Sequence, residues 1–457
     1  MSALRGLAAR YERCFPEALR LPMRTVGREA EYPIVTPLGH AGNVQAVMAR
    51  LRDDSRVKAS QVVMENELIA SITTESSVHY TIEVGTGTVE VISGPFMDLE
   101  SLREVHEDSV ELLVDAAKEE GLCVLGCGIQ PLTRPSAALM TPRERYNRLM
   151  ELLPGWAWFS ATASDQVHVD ITREEFPLIT SVCNAATPAL VALCGNSGVH
   201  SGLVADTCCT REAATHQVMG HRHGMPEAPV SSVDEWMEQI ATLDFLMRKD
   251  HPKDTNPRVA YLNDDVSLGL APFSDHLGAS SSASQGQVTG SRDEQDWEDF
   301  LFHEHYVYHS ARPRSKQATV ELRPCCQQPW ADHMVVAALS LGLVQSGPRL
   351  LPFLVPSYEA GASGAWHGAL AGRWAHLQGL HHRAVTTGLE DDEVAELCKG
   401  ILTACAQALE ERGLGEEAFL EPLFQRVEER ENPAQQLQRA MRDVGMKGVV
   451  DLTEIRP

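Results

Sequence analysis

Glu29 and Glu31 lie in the run Thr25-Val26-Gly27-Arg28-Glu29-Ala30-Glu31-Tyr32-Pro33-Ile34-Val35. Apolar and polar positions alternate there, which predicts a β-strand with Pro33 toward its end. Two residues apart on a strand, both carboxylates leave from one face. Neighbouring anions repel, so water or a cation must sit between them. A hard divalent cation such as Mg²⁺ takes such oxygen ligands. Taken alone, the pair reads first as a solvated strand face. The pattern recurs, however. Glu83, Glu90 and Glu321 also fall on expected strands, and His168 falls on another. Singly each acid reads as an ordinary exposed one. As a set on one sheet face they form a multi-cation cage for a triphosphate. Arg145, Arg211 and Arg323 could then meet a transferred phosphoryl group or a substrate carboxylate.

These side chains need elements to position them. Tyr80-Thr81-Ile82-Glu83-Val84 and Thr88-Val89-Glu90-Val91-Ile92 flank Gly85-Thr86-Gly87, a hairpin pattern that puts Glu83 and Glu90 on paired strands. Asp98 caps a helix expected to run to about Glu120. A short apolar strand is expected over 123–128, a helix over 143–153, a strand over 164–171 and one buried helix over 176–195. Gln317-Ala318-Thr319-Val320-Glu321-Leu322-Arg323 reads as a late strand, and 330–442 as helical. The stretch 280–292, rich in Ser, Gly and Gln, is expected to be a mobile loop. Strands mixed with helices, without regular βαβ alternation, predict an α+β fold around a mostly antiparallel sheet.

Composition narrows the function. The chain has 457 residues with 39 basic and 63 acidic side chains, a net charge of −24. That field repels nucleic acid and anionic membranes, so neither is an expected partner. The eleven cysteines contain no CxxC pair, which argues against a zinc ribbon. No signal peptide or long apolar run is evident, and the expected location is the cytoplasm. Gly126-Cys127-Gly128 lacks the third glycine of a dinucleotide site, and no Walker A sequence occurs. His303-Glu304-His305-Tyr306-Val307-Tyr308-His309 is not HExxH and reads as a solvated histidine cluster. The same holds for His216, His221 and His223, with a mobile substrate loop as the alternative.

The motifs then carry a family resemblance. Gly27-Arg28-Glu29-Ala30-Glu31 resembles the G-x-E-x-E opening of glutamate–cysteine ligases of the plant and proteobacterial type. Val89-Glu90-Val91-Ile92-Ser93-Gly94-Pro95, Leu125-Gly126-Cys127-Gly128-Ile129-Gln130-Pro131, Met140-Thr141-Pro142-Arg143-Glu144-Arg145-Tyr146, Gln166-Val167-His168-Val169-Asp170, Asn196-Ser197, Asp206-Thr207 with Arg211, and Val320-Glu321-Leu322-Arg323 resemble later family segments in order. The tail, Leu409 to Gly413 and Asn432-Pro433-Ala434, continues the match.

The resemblance implies one catalytic domain over 1–457, with a curved, glutamine-synthetase-like antiparallel sheet. It implies an ATP-dependent carboxylate–amine ligase that joins glutamate to an amine, with cysteine favoured, through an acyl phosphate. Mg²⁺, with Mn²⁺ as the alternative, would be held by Glu29, Glu31, Glu83, Glu90 and Glu321. Arg323 and His168 would stabilise the phosphoryl group. Arg145, Tyr146, Gln166, Asn196 and Arg211 would bind ATP or substrate, and an oligomer is allowed. Other readings are a ligase of specialised metabolism with a different amine, a phosphotransferase, and a non-catalytic partner-binding relative. Five departures stand out: His168 for asparagine, Cys326 for an acid, Ser315 for an arginine, Val204 for tryptophan and Gly198 for proline. They predict an altered amine pocket and weaker use of free cysteine.

Overall fold

Alternation along the strands sets charged residues on one face of a sheet and apolar residues on the other. The computed structural model describes residues 2–249, 266–268, 271–277, 292–356 and 369–457. The expected mobile loop at 280–292 lies, but for its last residue, outside them. The sheet comprises β1 (Val26–Val35), β2 (Ala59–Glu65), β3 (Leu68–Thr74), β4 (His79–Ile82), β5 (Thr88–Phe96), β6 (Cys123–Val124), β7 (Asp165–Asp170), β8 (Ala311–Arg314) and β9 (Thr319–Leu322). Their order is β8-β9-β7-β1-β5-β4-β3-β2, with β6 paired to the end of β1. Every pairing in this sheet is antiparallel. The fold is α+β, as the sequence predicts.

The register brings distant acids together. Glu31 pairs with Glu90, and Glu90 with Thr81. Glu29 pairs with Gln166 on the other side, and His168 with Glu321. Glu83 lies one residue beyond β4 rather than on it, in the 83–87 connection. Gly85 there must be a glycine: a Cβ would lie 1.9 Å from the Ser160 carbonyl oxygen.

Apolar residues between these acids face the helices. Ala30, Tyr32, Val89 and Val91 form one core with Val110 and Leu113 of the helix Leu99–Glu119. That helix starts where expected, with Asp98 accepting from the Ser101 amide at 2.7 Å. Val167, Val169, Val320 and Leu322 join a larger core with the helices Val335–Gln345 and Asp392–Glu410. Arg28 also takes the apolar side. It is fully buried and bonds Asp165 in a fork at 2.8 and 2.6 Å.

Three expectations change. The buried helix over 176–195 is two helices, Phe176–Ala185 and Thr187–Cys194, meeting at 48°. Pro188 has no amide hydrogen to donate and crowds the preceding turn, so the first helix ends there. The 123–128 strand is only two residues long. The helical region from 330 is a succession of helices, broken first before Pro348 by an 81° bend. Among the described residues, no single helix is long and apolar enough to cross a membrane.

Candidate active site

The charged sheet face lines a cavity of about 350 Å³. Glu29, Glu31, Glu83, Glu90, Arg145, Tyr146, Gln166, His168, Arg211, Glu321 and Arg323 all contribute to its wall. These acids are not the ordinary exposed ones that each suggests singly. Glu31, Glu90 and Glu321 are buried, and the other two are half-buried. Residues of the helices Glu144–Leu152 and Thr210–Met219 share the cavity wall with the acids and take the place of solvent that a lone strand would have.

The acids fall into two groups. Ligand atoms of Glu31, Glu83 and Glu90 all lie within 4.8 Å of one another, and so do those of Glu29, His168 and Glu321. In the first group Glu31 accepts from the Ser164 amide at 2.6 Å and from Gln166 Nε2 at 3.1 Å. Burial, then the charge of Glu31, pushes the Glu83 carboxyl up to about 8. Burial, then Glu83, Glu29 and Glu31, drives Glu90 well above the usual range. Three clustered carboxylates with too little counter-charge fit a divalent cation.

The second group already has its counter-charge. Glu321 accepts a fork from Arg312 at 2.8 and 3.1 Å, has Arg314 Nε at 3.3 Å, and is bonded by Arg323. Burial opposes its charge, but Arg312, Arg323 and Arg314 overcome it and hold the carboxyl well below its usual range. Burial likewise raises Glu29, but hydrogen bonding and charge from His168 bring it below its ordinary value. His168 Nδ1 bonds the Thr319 hydroxyl at 3.0 Å, which leaves Nε2 to face Glu29 Oε1 at 3.3 Å. An imidazole fixed through one nitrogen with the other facing carboxylates suits a metal ligand. This geometry sets His168 among the acids, rather than only against a phosphoryl group.

Arg323 is held over the Tyr308 ring at 5.5 Å and bonds Gln166 Oε1. Arg211 stands in the first turn of the helix Thr210–Met219, with its amide on Ser197 Oγ at 3.1 Å. Its guanidinium donates to the Arg323 and Pro324 carbonyls at 3.1 and 3.2 Å. Arg145 bonds the Tyr146 hydroxyl at 3.1 Å.

Asn196 is the expected site residue that the cavity leaves out. It is fully buried, and its amide donates to the Gly126 and Gln327 carbonyls at 2.9 and 2.8 Å, pinning two loops together. The altered-pocket expectation meets the same difficulty. Of the five departures only His168 lines the cavity. Cys326 is buried with its Sγ 3.6 Å from that of Cys209. Gly198 packs against the Ala434 carbonyl, where a Cβ would lie at 2.2 Å. Ser315 lies in the β8–β9 connection and Val204 in a short hairpin, both off the cavity wall.

Several lining residues were not singled out as site residues. Arg312 and Arg314 share a face with Glu321 because Arg312 pairs with it across β8–β9; their i, i+2 spacing was the available signal. Tyr308 and His305 come from the segment read as a solvated histidine cluster. That reading fails for its ends: His303 stacks on Phe273 and bonds the Ile240 carbonyl at 2.8 Å, and His309 is buried. His223 is buried too, while His221 is exposed. Packing of helix Arg292–His305 against the aromatic core removes the His303 ring from water.

The family model for glutamate-cysteine ligase family 2 (GCS2) matches residues 25–451. The chain belongs to this family. Among its family-2 relatives, a Rhodococcus jostii (strain RHA1) protein provisionally named glutamate–cysteine ligase 2-3 is 33% identical over 160 residues, 34% of this chain and 20% of that protein. One from Rhodopirellula baltica, provisionally named glutamate–cysteine ligase 2, is 24% identical over 182 residues, 39% of this chain and 45% of its own. The matches thus span less than half of either relative's length. The glutamate–cysteine ligase of Francisella tularensis, solved in complex with AMP, superposes with a TM-score of 0.52 at 12% identity, over 96% of this chain and 88% of that one. That likeness concerns the fold. Membership in family 2 gives the two carboxylate groups and the arginines that line the same cavity a chemical context.

Proposed function

We propose that this chain is an ATP-dependent carboxylate–amine ligase that forms a γ-glutamyl amide, with cysteine the first-ranked amine. The observation that carries the reading is the pair of cation-sized acidic groups facing Arg312, Arg314 and Arg323 in one cavity. Mg²⁺ or Mn²⁺ held by Glu31, Glu83 and Glu90, and by Glu29, His168 and Glu321, would supply positive charge to a triphosphate. Arg323, steadied by Glu321, Gln166 and Tyr308, would stabilise charge on the γ-phosphoryl group as a substrate carboxylate attacks it. The resulting acyl phosphate carries a good leaving group, and an amine then displaces phosphate to give the amide. Arg145, Tyr146, Gln166 and Arg211 would orient the substrates. A single domain with a curved, glutamine-synthetase-like sheet belongs to this reading, as does work in the cytoplasm, alone or as an oligomer.

Because the departures from the family pattern mostly lie off the cavity, they give little support to a changed amine. The deciding experiment incubates the protein with ATP, Mg²⁺, ¹⁸O-carboxylate glutamate and a panel of amines. Amide, ADP and labelled phosphate are expected. Amide with unlabelled phosphate would exclude the acyl phosphate, and a phosphorylated product without amide would make the chain a phosphotransferase.

A further inference from the structure

A small side pocket of about 20 Å³ adjoins the main cavity, sharing Arg211 and Arg323 with it and adding Ser310 and His223. Phe159, Thr215, Tyr308 and Pro324 complete it. It exists because the segments His223–Gly224 and Tyr308–His309 pair in parallel, after which the Ser310 amide bonds the Gly224 carbonyl at 2.9 Å and the Arg323 amide the Ser310 carbonyl at 2.9 Å. Ser310 and His223 are both buried. Ser310 Oγ and His223 Nδ1 nevertheless have no hydrogen-bond partner among the described residues. Buried polar atoms in folded proteins are almost always paired, so two in one small pocket ask for a ligand group or a water.

The chemistry of that group is constrained. The volume admits something the size of one water, hence a terminal atom and not a whole substrate. Two arginines in its lining repel an ammonium. An apolar group would leave the hydroxyl and the imidazole unsatisfied. Behind His223, Nε2 faces the buried Glu212 carboxylate at 3.3 Å, while His381 bonds the other oxygen of Glu212 at 2.9 Å. With Nε2 turned to Glu212, the unpartnered Nδ1 is the His223 atom left to meet a group in the pocket.

We infer that this side pocket receives a carboxylate oxygen of an α-amino-acid substrate, with Ser310 and His223 donating to it and Arg211 and Arg323 matching its charge. The inference rests on the ligase reading and adds to it the residues that select an amino acid over a simple amine or acid. Two sources offer the same group: the α-carboxylate of the glutamate donor and the carboxylate of the amine acceptor.

The test is a cycle on unaltered protein and Ser310→Ala. Each is assayed with glutamate against 4-aminobutyrate, which lacks the α-carboxylate, and with cysteine against cysteamine. Unaltered protein should prefer one carboxylated member strongly. In Ser310→Ala that preference should shrink about tenfold, through KM, for that substrate alone, while KM for ATP stays within about twofold. The pair that responds identifies the source. Equal preference in both proteins, for both pairs, would mean that the pocket holds only trapped water and would overturn the inference while amide formation stands. If unaltered protein makes no amide, the ligase reading fails instead; calorimetric titration of both proteins with the same four compounds then decides the pocket by the same criterion.

Discussion

Glu31, Glu83 and Glu90 in one group of the cavity wall, and Glu29, His168 and Glu321 in the neighbouring one, use nearly the same side chains for opposite electrostatic ends. The first group is short of positive charge: burial pushes all three members toward the neutral form, and at Glu83 and Glu90 the neighbouring acids add to it. In the second, Glu321 already has much of it, because β8 and β9 bring Arg312, Arg314 and Arg323 against that one carboxylate. A carboxylate's type therefore says little about its role. What matters is how much compensating charge the fold has already supplied.

Matched substitutions should break or sharpen this contrast. The largest effect is on turnover. Glu90→Gln and Glu321→Gln should each lower ATP-dependent amide formation by about a hundredfold or more at ordinary Mg²⁺, measured as ADP release. Normal turnover in either would remove that residue from the catalytic cage.

Stability should separate the two. Glu321→Gln strands three buried or half-buried guanidiniums, so it should destabilise the fold by about 3 kcal/mol in urea denaturation. A loss within error of zero would mean that the arginines find other partners.

Mg²⁺ should act on the acid-rich group. At a concentration about 100 times its Kd, it should stabilise unaltered protein by about 2.7 kcal/mol, and Glu90→Gln by much less. Thermal melts with and without chelator read this directly. In chelator, Glu90→Gln removes a carboxyl that the fold must force toward its neutral form, so it should leave the protein about 1 kcal/mol more stable, opposite in sign to Glu321→Gln.

Glu212 offers the smallest and most diagnostic change, because histidines rather than arginines neutralise it. Burial raises its carboxyl, but His223 and His381 hold it well below the usual value. Its folded-state value is thus depressed. The stability it contributes is present above the unfolded value near 4.5 and is lost as pH falls through the folded one. Glu212→Gln should therefore cost stability at pH 7, and the gap to unaltered protein should narrow on acidification, as followed by denaturation at a series of pH values.

The strands carrying Glu29, Glu31, Glu90, His168 and Glu321 were legible because alternation with period two is local: Val89 and Val91 flank Glu90, and Val167 and Val169 flank His168. The helix start at Asp98 was legible for the same reason. Ordered motifs placed ten of the eleven expected cavity residues that do line it together with Asn196, which does not. A motif marks a segment, and a segment holds its own loops in place as well as its substrate.

By itself, then, the sequence determined which residues share a strand face, the α+β character and the family's motif order, all of which follow from short-range periodicity and residue chemistry. Only the tertiary structure decided which acids are compensated. Arg312 and Glu321 are nine residues apart and meet through a strand register, Glu31 and Glu83 meet across β1, β5 and the 83–87 connection, and His223 and His309 become buried through packing that no local pattern encodes. Charge compensation and burial depend on distance in space, and through-space distance between strands is set by pairing and layer packing rather than by spacing along the chain.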